Sequence, residues 1–529
     1  MTPKSPVSRA PLSEDLTELR GRLSALIPIL EQKPDWYGSV FYERKASKGF
    51  LANLKQSQLS DQISAGIVLR IYDGYTLYEQ ASDQVDPESL KTIATEFAKK
   101  VQNSAPFEGA IKRAYHGAKW SERLSPGLDE EITSQIPSDV QADTFVHFGI
   151  RYSEDPSSIS GNSCLEQLKA IVSRCRELTP KVGLNPDDLT FVMARQNFSY
   201  EESIFVDRET NMSQALYRLS LMIITMSGAD RTFCRMGGLG GLETVRITDE
   251  EIVDMLRNLK ALKKAERLPP GKYRVLFGPV LTGVLAHEAF GHSQEGDTCA
   301  RGRSKAWELH KSGEVVGNEH ATILNNPAIF RNAEHDYAAW GSYFFDEEGW
   351  LSEKQVLLDK GILKPPMTNL TSALRLGVAR TANGKRESWA NGVYTRQTNT
   401  YFSAGNKTLD ELMTELKDGF LALHPAGGME DPKGMGIQVG ISFLQEIRDG
   451  KPTGRLFKGP AGGDIQMTGY TPDILNSIVA KSKIEFNSKE PDKAQNPFND
   501  TGGCGKYHKE FVYAGCGGPY LLLDNVILG

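Results

Sequence analysis

The sequence predicts an α+β protein, with a mixed α/β first half (1–268) and a β-rich, largely antiparallel second half (269–529). Three observations predict this. Helical stretches with an apolar face are interleaved with strand pairs before residue 265. The stretch A-E-R-L-P-P-G-K (265–272) then ends a charged helix, breaks it with Pro-Pro-Gly and opens a new strand. Beyond it the texture turns to strand pairs and tight turns, and the 50 glycines are concentrated after residue 380.

Each element has a local cause. Residues 11–33 place Leu16, Leu19, Leu23, Leu26 and Ile27 at helical spacing. Residues 64–83 read as two alternating strands joined through Asp73-Gly74, a hairpin dipeptide. Asp86-Pro87-Glu88 opens a helix that runs to about Val101, with Asp86 as N-cap and Pro87 in the first turn. Strands are expected at 144–152, 189–196 and 202–207, and helices at 163–177 and 249–266. His147, on a strand among apolar residues, reads as a hydrogen-bonded core histidine. After the boundary come a short buried strand (273–277), a Gly278-Pro279 break, and an apolar helix start. Further strands are expected at 341–346, 353–359, 438–448, 453–457 and 519–528, with one helix at 408–422. No solenoid repeat or low-complexity tract interrupts them.

At 529 residues the chain exceeds one ordinary core, so two or more domains are expected. Lys+Arg number 61 against 67 Asp+Glu, a net charge of −6 without a basic run, which gives no electrostatic reason to expect nucleic-acid binding. The first residues lack a signal-peptide apolar core, and no stretch has the roughly 18 apolar residues needed to span a bilayer. A cytoplasmic location is therefore expected.

The chemistry concentrates in V-L-A-H-E-A-F-G-H-S-Q-E-G-D (284–297). Neutral imidazoles ligate zinc, and an adjacent glutamate can take a proton from water that the metal activates. Paired histidines can also be ordinary core or surface groups. Here, however, they follow a buried strand, a turn and an apolar helix start, the context of a site. His287 and His292 are five residues apart, not four as in H-E-x-x-H. On a regular helix five steps turn the second ring about 140° from the first and carry it about 7.5 Å along the axis. Either the helix carries an extra-residue bulge or it ends near Gly291. Six scattered cysteines make no disulfide framework. Cys299, seven residues after His292, and Cys504, in T-G-G-C-G-K, are both able to supply a third ligand, and residue chemistry alone does not choose between them.

The segment H-E-A-F-G-H-S-Q-E-G-D resembles the signature of the TldD/PmbA metallopeptidases, a family also known as modulators of DNA gyrase. G-S-Y-F-F-D-E-E-G-W (341–350), A-N-G-K-R-E-S-W-A (382–390), R-Q-T-N-T-Y (396–401) and G-G-C-G-K…G-G-P-Y-L-L-L-D-N-V (502–526) follow in the family's order. The resemblance covers essentially all of 270–529 and the first half more loosely. It implies a Zn2+ site with His287, His292 and Cys504 as ligands and Glu288 as general base, the catalytic rather than the metal-free branch. It thereby prefers Cys504 to Cys299.

Glu295 and Asp297 are read as partners of the histidine N–H groups or as a solvated loop. Arg386 and Asn399 are read as binders of substrate backbone or a terminal carboxylate, against ordinary turn structure. His508 lies four residues past Cys504 and is able to line the cleft; Cys516 is read as packing. The implied activity is zinc-dependent hydrolysis of unfolded or extended peptides, which would suit addition of a peptide strand to a sheet edge. The implied partner is a second copy or a metal-free paralogue, with no membrane and no direct nucleic acid. A non-catalytic zinc-containing regulatory subunit and a DNA- or gyrase-binding regulator are the competing readings, the latter disfavoured by the acidic charge.

Overall fold

The computed structural model describes residues 7–104, 106, 109–158, 160–331, 337–483, 495–506 and 510–529. Its α+β architecture contains a seven-stranded sheet in the first half and, in the second, a ten-stranded and a six-stranded sheet. The seven-stranded sheet is built from long strands, Tyr37–Asn53, Ser57–Tyr72, Phe191–Asp207 and Asn211–Ser227, paired antiparallel. Even positions of the first of these (Val40, Tyr42, Phe50, Ala52) are buried in clusters with the helices. The helix residues there include Leu16, Leu23, Leu90 and Phe97 at one end and Leu168, Val172, Leu256 and Leu259 at the other.

Several expectations hold. The first helix forms as Glu14–Leu23, continued by Ser24–Leu26 and Ile27–Leu30. The Asp73 carboxylate accepts from the Tyr75 and Thr76 N–H groups (2.8 and 2.7 Å), which fixes the turn of the predicted hairpin. Asp86 caps Pro87–Gln102 by accepting from Ser89 N–H. His147 is hydrogen-bonded as expected but half-buried: its ring nitrogens meet the Ser213 hydroxyl at 2.9 Å and the Ala10 carbonyl at 3.0 Å.

Others are corrected. The strands expected at 189–196 and 202–207 are one strand, Phe191–Asp207, because Tyr37–Asn53 and Asn211–Ser227 pair along its whole length. Residues 341–346 form no strand. There the Phe344 and Phe345 N–H groups donate to the Gln214 side chain, so this aromatic run is a core loop. The helix expected at 408–422 stops at Leu416, where Lys417 takes φ 57°, and Gly419–Ala422 becomes a strand. The helix expected at 249–266 ends at Leu262, and 438–448 divides into Gly436–Ile441 and Leu444–Arg448.

In the ten-stranded sheet Gly271–Phe277 lies between Leu521–Leu528, antiparallel, and Gly419–Ala422, parallel; Pro425–Asp431 is an outermost strand. The six-stranded sheet ends in Asn399–Phe402, Glu510–Gly518 and Gln495–Lys506. The helix Pro279–Ala286 packs against strands of both sheets. Its Leu281, Leu285 and Ala286 enter a core with Phe277, Met467 and Leu521. The two halves of the chain also share a core, in which Phe205 and Met212 pack with Phe344 and Phe345. Buried Arg70 pairs with Glu348, adding an ionic tie. Among the described residues no helix is long and apolar enough to cross a membrane.

Gly283 lets the apolar helix touch the strand Glu510–Gly518: a Cβ there would lie 2.2 Å from the backbone nitrogen of Gly517. Gly283→Ala is therefore expected to cost about 1–3 kcal/mol through overpacking, read as a lower thermal unfolding midpoint than wild type. An unchanged midpoint would show that the contact is not tight.

Candidate metal centre

The helix Pro279–Ala286 begins on Gly278 with Pro279 in its first turn. At His287 it widens into a π turn, His287–Gly291, and then tightens into a 3₁₀ turn, His292–Gln294. The His292 N–H donates to the His287 carbonyl, a bond spanning five residues. A π turn holds one residue more than an α turn, so position i+5 comes back over position i. This is the bulge that the histidine spacing required. It sets the two imidazoles edge to face, with centroids 4.8 Å apart and planes at 86°.

Cys504 arrives on the strand Gln495–Lys506, paired with Val512 of Glu510–Gly518. Its Sγ lies 3.2 Å from His292 Nε2, and the ligating atoms of His287, His292 and Cys504 all fall within 4.8 Å of one another. Burial pushes the Cys504 thiol up, but the flanking His292 and His287 outweigh it and hold the thiol well below its usual range. Burial likewise pushes His292 down, while Cys504 and Glu295 raise it well above an ordinary imidazole.

These residues fit a zinc ion. Tetrahedral zinc, with S at about 2.3 Å and N at about 2.1 Å, separates two such donors by roughly 3.6 Å, near the 3.2 Å found here. Among the described residues His287 Nδ1 is also buried without a hydrogen-bond partner, which is costly for a polar atom.

Glu288 is buried on the same turn and forms a second cluster with His292 and Glu430, its atoms again within 4.8 Å. Glu430 comes from the edge strand Pro425–Asp431. Burial pushes its carboxyl up to about 8, with the hydrogen-bonded Glu288 adding to the rise against His292. Gly428 on that strand makes room for Glu288: a Cβ there would meet the Glu288 Cγ at 2.7 Å.

A buried ionic clasp joins the histidine motif to the cysteine strand. Lys506 Nζ lies 2.8 Å from Glu295 Oε2 and 2.6 Å from Asp297 Oδ1. Glu295 reaches His292 Nδ1 at 3.5 Å and Arg396 Nε at 3.7 Å, while Arg396 donates to the Cys504 carbonyl at 2.7 Å. Burial raises the Glu295 carboxyl, but Lys506 and His292 more than offset it and hold it far below the usual range. Gln397 donates to the His287 carbonyl at 3.2 Å.

The predicted residues thus divide. His287, Glu288, His292, Glu295 and Cys504 converge, and Asp297 joins through Lys506 rather than through a histidine. Cys299 stands apart: its thiol points to the Ser293 carbonyl at 3.4 Å, and burial pushes it up to about 12. Cys516 is buried on Glu510–Gly518, opposite Thr400. His508 lies outside the described residues.

The expectation that Arg386 and Asn399 bind substrate finds no support in the geometry. Arg386 is buried against Glu79 (2.8 Å), Glu347 (3.2 Å) and the Asn391 carbonyl (2.7 Å). The fully buried Asn399 donates to the Asn326 carbonyl and the Ser342 hydroxyl and accepts from Gly341 N–H. Within R-Q-T-N-T-Y, Arg396 and Gln397 are the residues that reach the site. Lys506, in the C-G-K tail, carries no local signal of Glu295 and Asp297, its partners from a distant segment. Glu430 was missed altogether; its one signal is a lone pair of acids, Glu430-Asp431, closing a glycine-rich run.

Comparison with known proteins adds to this geometry. Residues 270–529 match the family model described as the PmbA/TldA metallopeptidase C-terminal domain. The chain is 30% identical over 355 residues to the metalloprotease TldD homolog of Haemophilus influenzae, a match covering 64% of this chain and 68% of that protein. It is 24% identical over 328 residues to the zinc metalloprotease TldD homolog of Saccharolobus solfataricus, covering 61% and 67% of the two chains. Its fold is similar to the crystal structure of TldE from Thermococcus kodakarensis, with a TM-score of 0.66 at 16% identity, over 96% of this chain and 100% of that one.

Lys506→Met would leave Glu295 and Asp297 without their buried cation and loosen His292. Zinc affinity, measured by chelator competition, is expected to fall about 10–100-fold. Unchanged affinity would mean that the clasp does not orient the histidine.

Proposed function

This chain belongs to the TldD/PmbA family of metallopeptidases, and from that premise we propose that it is a zinc-dependent peptidase hydrolysing unfolded or extended peptides, with Glu288 as general base. The observation that carries the reading is the convergence of His287, His292 and Cys504 beside the Glu288 carboxylate. His287, His292 and Cys504 would hold the ion and leave a position open. Zinc there would supply Lewis acidity, polarising the scissile carbonyl and acidifying water.

The chain's own groups supply the rest. Glu288 takes the proton of the attacking water and passes it to the leaving amine. Glu430, its carboxyl raised to about 8 by burial, shares a hydrogen bond with Glu288 beside the His292 ring. Glu295 steadies His292 from behind at 3.5 Å.

An extended peptide has a place to lie. Pro425–Asp431 is a sheet edge among the described residues, and its Gly427, Gly428 and Met429 are exposed. A peptide adding as a further strand would bond main chain to main chain, which reads shape rather than sequence. Gly428 abuts Glu288, so such a peptide would run its backbone past the base. The same reading carries a division of the chain near Leu268, a cytoplasmic setting, and a dimer with itself or with a metal-free paralogue.

The test combines metal content and turnover. Wild type is expected to hold near-stoichiometric zinc, lost in both His287→Ala and Cys504→Ala. Glu288→Gln is expected to keep the zinc while hydrolysis of an unfolded peptide falls about 10²–10⁴-fold. Activity that survives Glu288→Gln would overturn the mechanism; zinc that survives Cys504→Ala would overturn the ligand set.

A further inference from the structure

The strand Asn399–Phe402 has Gln397 of the metal centre before it and Ser403 after it. Ser403 is half-buried, and the turn that follows exposes Ala404 and Asn406. The turn packs on the short strand Ile478–Lys481, itself paired with Leu521–Leu528. Gly405 N–H donates to the Ser482 carbonyl at 2.7 Å, and Lys407 N–H to the Lys481 carbonyl at 3.3 Å. A side chain at Gly405 would break this packing: a Cβ there would lie 2.2 Å from the Lys481 carbonyl oxygen and 2.6 Å from the Lys481 Cβ.

Lys481 is the anomaly. The residue is only 6% exposed, and its Nζ lies 3.0 Å from Ser403 Oγ. Among the described residues no carboxylate pairs with it, whereas neighbouring Lys407 pairs with Glu415. A buried ammonium without a counter-charge is costly, and the cost is relieved by giving up a proton. Burial accordingly pushes the Lys481 amine down to about 8, so a share of it is uncharged at neutral pH.

An ammonium can only donate to the Ser403 hydroxyl, but an uncharged amine accepts from it. The second arrangement is that of a serine nucleophile with a lysine base. The Ala404 N–H, next along the chain, meets no acceptor among the described residues. It is thus available to the oxygen of a tetrahedral adduct.

We propose that Ser403 and Lys481 form a second reaction site, a serine–lysine pair that hydrolyses small carboxylic esters. Ser403 Oγ attacks the acyl carbon while its proton passes to Lys481 Nζ, and the departing alkoxide or phenolate takes that proton. Water then attacks the acyl-serine and gives a proton to Lys481, which returns it to Ser403 Oγ as the carboxylic acid leaves. Esters suit the site better than peptides, because an alkoxide or phenolate departs more readily than an amine that must first be protonated. The half-buried hydroxyl admits a short acyl chain. The reaction goes beyond the peptidase reading and shares none of its groups.

The full-length protein tests this with a fluorophosphonate, which phosphonylates activated serines, and with p-nitrophenyl acetate. Peptide mass spectrometry is expected to find the phosphonate on Ser403. Lys481→Met removes a buried unpaired cation, so it is expected to keep the fold while labelling slows about 10²-fold. Lys481→Arg keeps a charged donor that cannot act as a base, and should slow labelling as much. Glu288→Gln should label at the wild-type rate. In that background, with the base of the metal centre removed, ester turnover should persist and fall at least tenfold on adding Ser403→Ala. The proposal is overturned if Ser403 takes no phosphonate, if either Lys481 variant labels as fast as wild type, if Glu288→Gln stops the labelling, or if Ser403→Ala leaves ester turnover unchanged.

Discussion

The buried contact of Lys506 with Glu295 and Asp297 is the interaction on which the metal centre depends. Two segments 209 residues apart in sequence meet there, one carrying the histidines and the other the cysteine. Without Lys506, Asp297 would lose the cation it touches, and Glu295 would keep Arg396 at 3.7 Å and the His292 ring at 3.5 Å. Removing one member of such a buried group costs about 3–5 kcal/mol when it strands a partner without compensation. Arg396 reinforces the clasp from a third segment, reaching both the Cys504 carbonyl and Glu295.

The clasp brings segments together; the π turn aims the side chains. One inserted residue in the helical ladder converts a five-residue spacing, which scatters the rings on a regular helix, into an edge-to-face pair. Glu288 lies on the same turn, so both imidazoles and the carboxylate are placed by one backbone irregularity. The sheet edge Pro425–Asp431 then closes the site, with a glycine where Glu288 needs room and Glu430 as its hydrogen-bond partner.

The first half of the chain is more than a support. Its long strands present a second face to the loops of the second half, and buried charge pairs such as Arg70–Glu348 and Arg386–Glu79 lock the contact. A cavity lined by Phe41 from the first half and by Tyr343 and Tyr513 from the second lies in that seam.

Local sequence determined the helices with caps and apolar stripes, the Asp73 turn, the hydrogen-bonded histidine at 147, and the group of His287, Glu288 and His292 with a distortion between them. Those follow from forces acting within a few residues, or from side-chain chemistry that forbids alternatives. The family resemblance, not residue spacing, chose Cys504 over Cys299, because a side chain contributed from 212 residues away leaves no local trace. Tertiary structure alone decided the rest. It fused two predicted strands into Phe191–Asp207 by pairing both its edges, and it turned 341–346 into a loop by satisfying its N–H groups from Gln214. It also took Arg386 and Asn399 into internal contacts and brought Arg396, Gln397, Lys506 and Glu430 to the centre. The reason is physical: which polar atom meets which partner depends on how strands far apart in sequence are stacked, and no pattern within either strand encodes that distance.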